Sequence, residues 1–317
     1  EDDGDSALGD VDVQSSTMSA RSSIFEFVEE NGRTYHRYKE GKYILPNDIP
    51  EQERLDLQHN IAVRRLGALY VAPISEPKRV LDVGTGTGIW AIEFAQDHPE
   101  SDVLGTDLSP IQPEYVPPNC RFEIDDADDT WIFQYRFDYI FMRFMCMAFS
   151  DFDKIFQSCF DNLEPGGYLE VQDYFFKIQS VDGSLRGTAL ERWNDLILEA
   201  VGKAGKSGTA SGKYRAQMQA AGFTDIVEKK LAIPGNPWAK GRNEKTLGLM
   251  QMTNIHDGLH GFSIHALTKA MGMTPEEVEL LLVDVRKDLK NRDIHFYYIF
   301  MVVYGRKPET AAATTTE

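Results

Sequence analysis

The chain has 317 residues, 42% hydrophobic and 26% charged, enough to bury the core of one large domain or of a domain with a smaller cap. Fifty acidic residues against 33 basic ones leave a formal net charge of −17, which argues against unaided nucleic-acid binding because phosphates need clustered Lys and Arg. There is no charged-then-apolar leader and no long uncharged apolar run, so neither a signal peptide nor a membrane span is expected.

Three cysteines without paired spacing, Cys120, Cys146 and Cys159, suit a reducing compartment, cytoplasmic or nuclear, and read as buried thiols. The one dense basic run, Arg286, Lys287, Lys290 and Arg292, is interleaved with acids and reads as a solvated helix face.

Residues 1–22 form an acidic leader: Glu1, Asp2, Asp3, Asp5, Asp10 and Asp12 all precede the first basic residue, Arg21, and the segment is expected to be disordered, as is the 310–317 tail. Residues 23–78 read as a largely helical N-terminal cap segment. Within it, Asn31-Gly32 marks a turn, an aromatic cluster follows (Tyr35, His36, Tyr38, Tyr43), and Pro46-Asn47-Asp48 breaks the chain. Leu55, Ile61, Ala62, Leu66 and Leu69 predict a helix from Glu51 to Tyr70, closed by Pro73 and Pro77.

From residue 79 short apolar strands alternate with helical stretches, the pattern of βαβ units and a parallel sheet. Strands are predicted at 79–83, 103–106, 121–124, 137–141 and from Tyr168, with helices at 89–97 and about 151–163 and a turn at Pro165-Gly166-Gly167. Helices near 189–203 and 211–221 lead to a strand at 223–233. A helical insertion over 236–293 then precedes a last strand beginning at Ile294. The two late strands suit an antiparallel pair at the sheet edge. The core is thus 79–235 plus 294–309, with the insertion and the cap segment placed to cover a ligand crevice.

The stretch Val80-Leu81-Asp82-Val83-Gly84-Thr85-Gly86-Thr87-Gly88 carries the most chemistry. Its glycines let the backbone turn sharply and approach a ligand, and the next helix presents its N-terminal amides there. The dinucleotide fingerprint fails when started at Gly84, where Ile89 takes the third glycine position. Started at Gly86 it survives loosely, ending on Ala91, but the strand then stops two residues early. Asp82 at the strand end is placed to receive the ammonium of a methionine moiety and would repel a pyrophosphate. The local pattern therefore favours a methyl donor over a dinucleotide. Asp107 closes the second strand and can take both ribose hydroxyls. Asp126 after the third can accept from an adenine amino group, with the amide of Ala127 facing a ring nitrogen.

The order Asp-x-Gly-x-Gly-x-Gly, Asp107, Asp126-Ala127 and Pro165-Gly166-Gly167 before a strand resembles the class I methyltransferase plan. Asn31-Gly32-Arg33-Thr34-Tyr35-His36, Tyr43, Pro46-Asn47-Asp48, Glu53-Arg54-Leu55-Asp56, His59, Gly88-Ile89-Trp90-Ala91 and Asp107-Leu108-Ser109-Pro110-Ile111-Gln112-Pro113 are similar to LaeA-like fungal methyltransferases. The resemblance implies a Rossmann-like, doubly wound, seven-stranded, mostly parallel sheet and S-adenosylmethionine as cofactor. The positions it puts at the donor are Tyr35, His59, Asp82, Gly84, Thr85, Gly86, Gly88, Asp107, Leu108, Asp126, Ala127 and Arg143. It also implies a role in fungal secondary metabolism. That role is either methylation of a small-molecule acceptor, with oxygen favoured, or regulation through velvet-type protein partners.

The acceptor side is less defined. His59 either caps the donor or is a plain helix-surface histidine. Asp173 and Tyr174 end the fifth strand, and His256-Asp257-Gly258-Leu259-His260 sets two imidazoles one helical turn apart. These four side chains are the candidates for a general base, with a metal site between the histidines the lesser reading, so no metal is assigned.

Overall fold

The computed structural model describes residues 26–309, so both terminal segments expected to be disordered, 1–22 and 310–317, lie outside the described residues. The cap segment opens on a hairpin, β1 (Phe27–Glu30) against β2 (Arg33–His36), turning through Asn31 and Gly32, both at positive φ. The turn expected at Asn31-Gly32 is thus the turn of a hairpin, whose two strands the sequence reading did not assign. The Asn-Gly pair forms a primed turn whose twist matches two antiparallel strands, and strands of four residues leave too little periodicity to detect.

Helix α1 (Ile49–Leu66) starts at Asp48, whose carboxylate accepts the amide of Glu51 at 3.1 Å and is gripped by Arg33 from the hairpin at 2.5 and 2.8 Å. It stops at Gly67 (φ 72), whose N–H closes back on the Val63 carbonyl, short of the predicted end at Tyr70.

The core is one seven-stranded sheet in the order β5-β4-β3-β6-β7-β9-β8. Strands β3 (Arg79–Val83), β4 (Asp102–Asp107), β5 (Cys120–Ile124), β6 (Phe137–Arg143) and β7 (Leu163–Ser180) run parallel. β9 (Phe296–Arg306) is antiparallel to both β7 and β8 (Thr224–Pro234), the expected edge arrangement.

β3 and β6 are buried on both faces, as central parallel strands must be. Val80, Tyr139 and Phe141 pack under α2 (Ile89–Asp97), where Trp90 stacks on Phe141 with centroids 3.8 Å apart. Leu81, Val83, Ile140 and Met142 pack on the opposite face against Phe152, Ile155 and Phe156 of α3 (Phe152–Asn162). The order reverses between β3 and β6, so their carboxyl ends open a crevice at the topological switch point.

The turn predicted at Pro165-Gly166-Gly167 is a wide bulge inside one long strand: Phe137 faces Leu163, and Tyr139 faces Tyr168. Two backbone bonds tie the bulge to β9's end, from Gly166 to the Lys307 carbonyl and from Lys307 to the Gly167 carbonyl. Beyond it β7 runs past the sheet centre to Ser180, forming the crevice wall.

Helices α4 (Ala189–Lys203), α5 (Tyr214–Ala220), α6 (Arg242–Met271) and α7 (Pro275–Lys290) follow, the last with a Thr274–Glu277 capping box. Helix α6 crosses α1 over the carboxyl ends of the strands. Interior glycines weaken a helix, and here two are required by close approach. A Cβ on Gly258 would lie 2.8 Å from Cδ of Arg54, and one on Gly248 would lie 2.2 Å from the Asn236 carbonyl oxygen. Gly248→Ala is accordingly predicted to lower stability by about 1–3 kcal/mol through overpacking against rigid backbone. A denaturation midpoint equal to that of wild type would contradict this packing.

Candidate functional site

A crevice runs along the carboxyl ends of β3, β4, β5 and β6, roofed by residues 42–59 and by α6. Its donor end is built from backbone. Gly84 (φ 71) and Gly86 (φ 58) turn in the left-handed region that glycine alone tolerates easily, and a Cβ at Gly84 would collide with the Met145 sulfur at 2.4 Å. The Thr106 carbonyl accepts the amides of Gly84 and Thr85, and Asp107 accepts those of Gly86 at 2.8 Å and Ser109 at 2.9 Å. One carboxylate thus sets the distance between the β3 and β4 loops.

Asp82 is buried and accepts the Thr85 hydroxyl at 2.6 Å; burial raises its pKa to about 7, offset in part by that bond and by Arg143. Arg143 donates from Nη2 to Nδ1 of His59 at 2.6 Å, and His59 Nε2 lies 3.0 Å from Glu93. A guanidinium has only protons to give, so Nδ1 is unprotonated and Nε2–H points to Glu93. Burial and the Arg143 charge drive the His59 pKa down to about 3, and it serves as a neutral strut. Arg143 Nη1 has no partner.

Where β5 ends, Asp126 is held by Lys42 from the cap segment and accepts the amide of Asp128 at 3.0 Å. Lys42 holds its carboxyl below the usual carboxylate range against the opposing effect of burial.

The inner end lies beneath α6. Asp173 is buried and accepts the amides of Met145 (3.0 Å) and Tyr174 (2.9 Å) and the Tyr214 hydroxyl (2.9 Å), and burial raises its pKa to about 7. It fixes the loop after β6, where Phe144 sits at φ 61 and stacks on Tyr174 with centroids 5.3 Å apart. A bulky residue at positive φ is strained, and such strain persists only where the surroundings over-determine it.

Of the positions singled out in the sequence, His59, Asp82, Gly84, Thr85, Gly86, Asp107, Leu108, Asp126, Ala127, Arg143, Asp173 and Tyr174 line this crevice. Gly88 and Tyr35 do not. Gly88 (φ 80) caps α2, and its missing Cβ makes room for the Phe122 ring. Tyr35 points away, with its ring 5.9 Å from that of His265, and the cap segment meets the crevice through residues between 42 and 59 instead.

His256 and His260 also fall outside. They share the α6 face opposite to Gln251, Asn254 and Ile255 and meet Asp257 and Glu279 at 3.1 and 3.6 Å. The base role expected of them is corrected on that ground, whereas Asp173 and Tyr174 do line the crevice.

Sequence reasoning missed Lys42, Arg54, Gln58, Gln251, Asn254 and Tyr298 as crevice residues. The available signal was polar and small side chains at helical spacing, Gln251, Asn254 and Gly258, on the core-facing stripe of α6. Among the described residues no helix is long and apolar enough to cross a membrane.

This topology, with a glycine loop after β3 and acids closing β4 and β5, is that of a class I methyltransferase. A methyltransferase-domain family matches residues 55–228. The chain belongs to this family, whose methyl donor is S-adenosylmethionine, and within it to the branch of the fungal laeA-type proteins.

The methyltransferase pytC of Aspergillus terreus is 35% identical over 94% of this chain and 93% of its own. The protein-methionine methyltransferase laeA of Emericella nidulans is 34% identical over 92% of this chain and 79% of its own. The solved phosphoethanolamine N-methyltransferase 2 of Haemonchus contortus is 16% identical with a TM-score of 0.47, covering 95% of this chain and 76% of that one.

Asp82 generates a pH prediction. Its folded pKa of about 7 lies above the ordinary carboxylate value, so its protonated form is favoured by folding. That contribution is complete below about pH 4 and is lost as pH rises through about 7. Asp82→Asn removes the titration while retaining an oxygen for Thr85. The melting temperature of this variant relative to wild type is expected to climb between pH 5 and pH 8, as seen in parallel thermal scans; a constant difference would contradict the burial of an ionisable Asp82.

Proposed function

We propose that the chain transfers the methyl group of S-adenosylmethionine to an oxygen of a small secondary metabolite. The observation that supports this most is the continuity of the crevice, from the glycine loop into an inner chamber walled by Phe144, Tyr174, Phe176 and Phe262 and roofed by α6. A covered apolar chamber beside the donor loop suits a compact acceptor and excludes water, and alignment with dry surroundings is most of what methyl transfer requires of an enzyme.

The residues present fit the donor. The bare Gly84–Gly86 backbone admits close approach, Asp107 would take the ribose hydroxyls, Asp126 and Ala127 would hold the adenine, and Arg143 carries a buried N–H, unpartnered among the described residues, in the same crevice as Asp82. S-adenosylmethionine supplies an electrophilic methyl carbon on a positively charged sulfur. His59 and Glu93 orient Arg143, and Asp173 and Tyr214 fix the loop carrying Phe144 and Met145.

A second reading, regulation through velvet-type protein partners or methylation of a protein, is supported by relatives described as secondary metabolism regulators, including laeA of Monascus pilosus at 36% identity.

Calorimetric titration tests the donor assignment. Wild type is expected to bind S-adenosylmethionine in the micromolar range and not NADH. Asp107→Ala, with unchanged far-ultraviolet circular dichroism, should lose about 10-fold or more in affinity with its charged hydrogen bonds. No binding by wild type, or equal binding by the variant, would remove this reading.

A further inference from the structure

Three buried polar atoms in the crevice have no hydrogen-bond partner among the described residues: Nη1 of Arg143, Nε2 of Gln251 and the Tyr298 hydroxyl. Gln251 and Tyr298 are fully buried, on α6 and β9, and both flank Tyr174. Gln251 Oε1 accepts the Tyr174 hydroxyl at 3.0 Å, and the Tyr298 ring meets that of Tyr174 edge-on at 5.8 Å. An unpaired buried polar group costs free energy, and two on side chains that both contact Tyr174 in one crevice point to a ligand that completes them.

The sign of this site is set by Arg54. Its guanidinium can only donate, and Nη1 gives to Asn254 Oδ1 at 2.7 Å. Asn254 therefore turns Nδ2 toward Gln251 Oε1, which also takes the Tyr174 proton. Gln251 Nε2 is left as a donor. The chamber thus offers protons to a ligand from Gln251, Tyr298 and Arg143, between aromatic walls.

The titratable groups nearest the inner chamber already carry protein partners. His59 has one nitrogen on Arg143 and the other on Glu93, so it has no free nitrogen to take a proton from an acceptor hydroxyl. Asp82 holds Thr85, and Asp173 holds two amides and the Tyr214 hydroxyl. An acceptor that arrives already ionised asks nothing of these carboxylates.

Resting on the methyl-transfer reading above, we propose that this chamber takes a planar, largely apolar β-dicarbonyl compound whose enol oxygen is ionised unaided at neutral pH. The hydroxyl of Tyr298 and Nε2 of Gln251 hold its oxygens. The lone pair of the enolate oxygen forms the bond to the methyl carbon as the carbon–sulfur bond breaks and its electron pair returns to sulfur, so no proton has to be placed. Attraction between an anion and a sulfonium is strongest where water is excluded, which is the character of this chamber.

The test is calorimetric titration of the S-adenosylhomocysteine-loaded protein at neutral pH with two probes of similar shape. 2-Acetylcyclohexane-1,3-dione is an ionised enol, and 2-acetylcyclohexanone is a neutral one. The expected result is preference for the ionised probe by about 10-fold or more, with Tyr298→Phe and Gln251→Leu each weakening it by about 10-fold while S-adenosylhomocysteine affinity is retained. Tyr298→Phe deletes only an oxygen that has no partner, so its result is read on a folded protein. Equal binding of the two probes, binding of neither, or variants with wild-type probe affinity would overturn the proposal. Failure of S-adenosylhomocysteine itself to bind would instead overturn the methyl-transfer reading.

Discussion

The buried guanidinium of Arg54 is the interaction on which the rest of the site depends. It makes a two-pronged pair with Glu51 at 2.7 and 2.9 Å, donates to Gln58 and Asn254 at 2.7 Å each, and lies 5.1 Å from the centre of the Phe262 ring. Taking a guanidinium and a carboxylate out of water costs several kcal/mol per ion, and only this complete set of partners offsets it. The consequence is geometric. Helix α1 and helix α6, some 200 residues apart in the chain, are held in one register over the sheet. Gly258 exists where it does because the Arg54 stem passes through the space a side chain would fill.

From that clamp the crevice follows. The sheet contributes a floor whose strands end together at the switch between β3 and β6. The cap segment contributes Lys42, which reaches Asp126, while α6 contributes Gln251 and Asn254. The electrostatics divide accordingly. The end at the glycine loop keeps carboxylates at Asp82, Asp107 and Asp126, suited to hydroxyl and amine groups. The inner end keeps donors, with Arg143 between the two and held straight by a histidine that burial keeps neutral. Polar groups that would conflict with one another in water are separated here by a short, dry distance.

The crevice residues around the glycine loop were legible in the sequence because they are local. A strand that ends in Asp82 and runs into three alternate glycines, and later strands that end in Asp107 and Asp126, state their positions by adjacency alone. The parallel core, the antiparallel edge pair and the helical insertion could also be read, since hydrophobic period and turn residues carry them. What could not be read is what only the tertiary fold brings together. Tyr35 alternates to the wrong side of a four-residue strand, and His256 and His260 lie half-buried on the face of their helix opposite the stripe containing Gln251. The residues that complete the chamber lie on α1, α6 and β9, and each looks unremarkable in its own neighbourhood. Gly88 matched the motif for a different reason, the packing of Phe122 rather than contact with a ligand.

The measurement that tests this account most directly is hydrogen–deuterium exchange of wild type and Arg54→Met with and without S-adenosylhomocysteine. If Arg54 couples the cap segment and α6 to the donor loop, ligand binding to wild type slows exchange at residues 84–88, 39–47 and 251–262 together. In Arg54→Met the ligand then protects 84–88 alone. Protection of all three segments in both proteins, or of the glycine loop alone in wild type, would contradict the claim that one buried ion pair assembles the site.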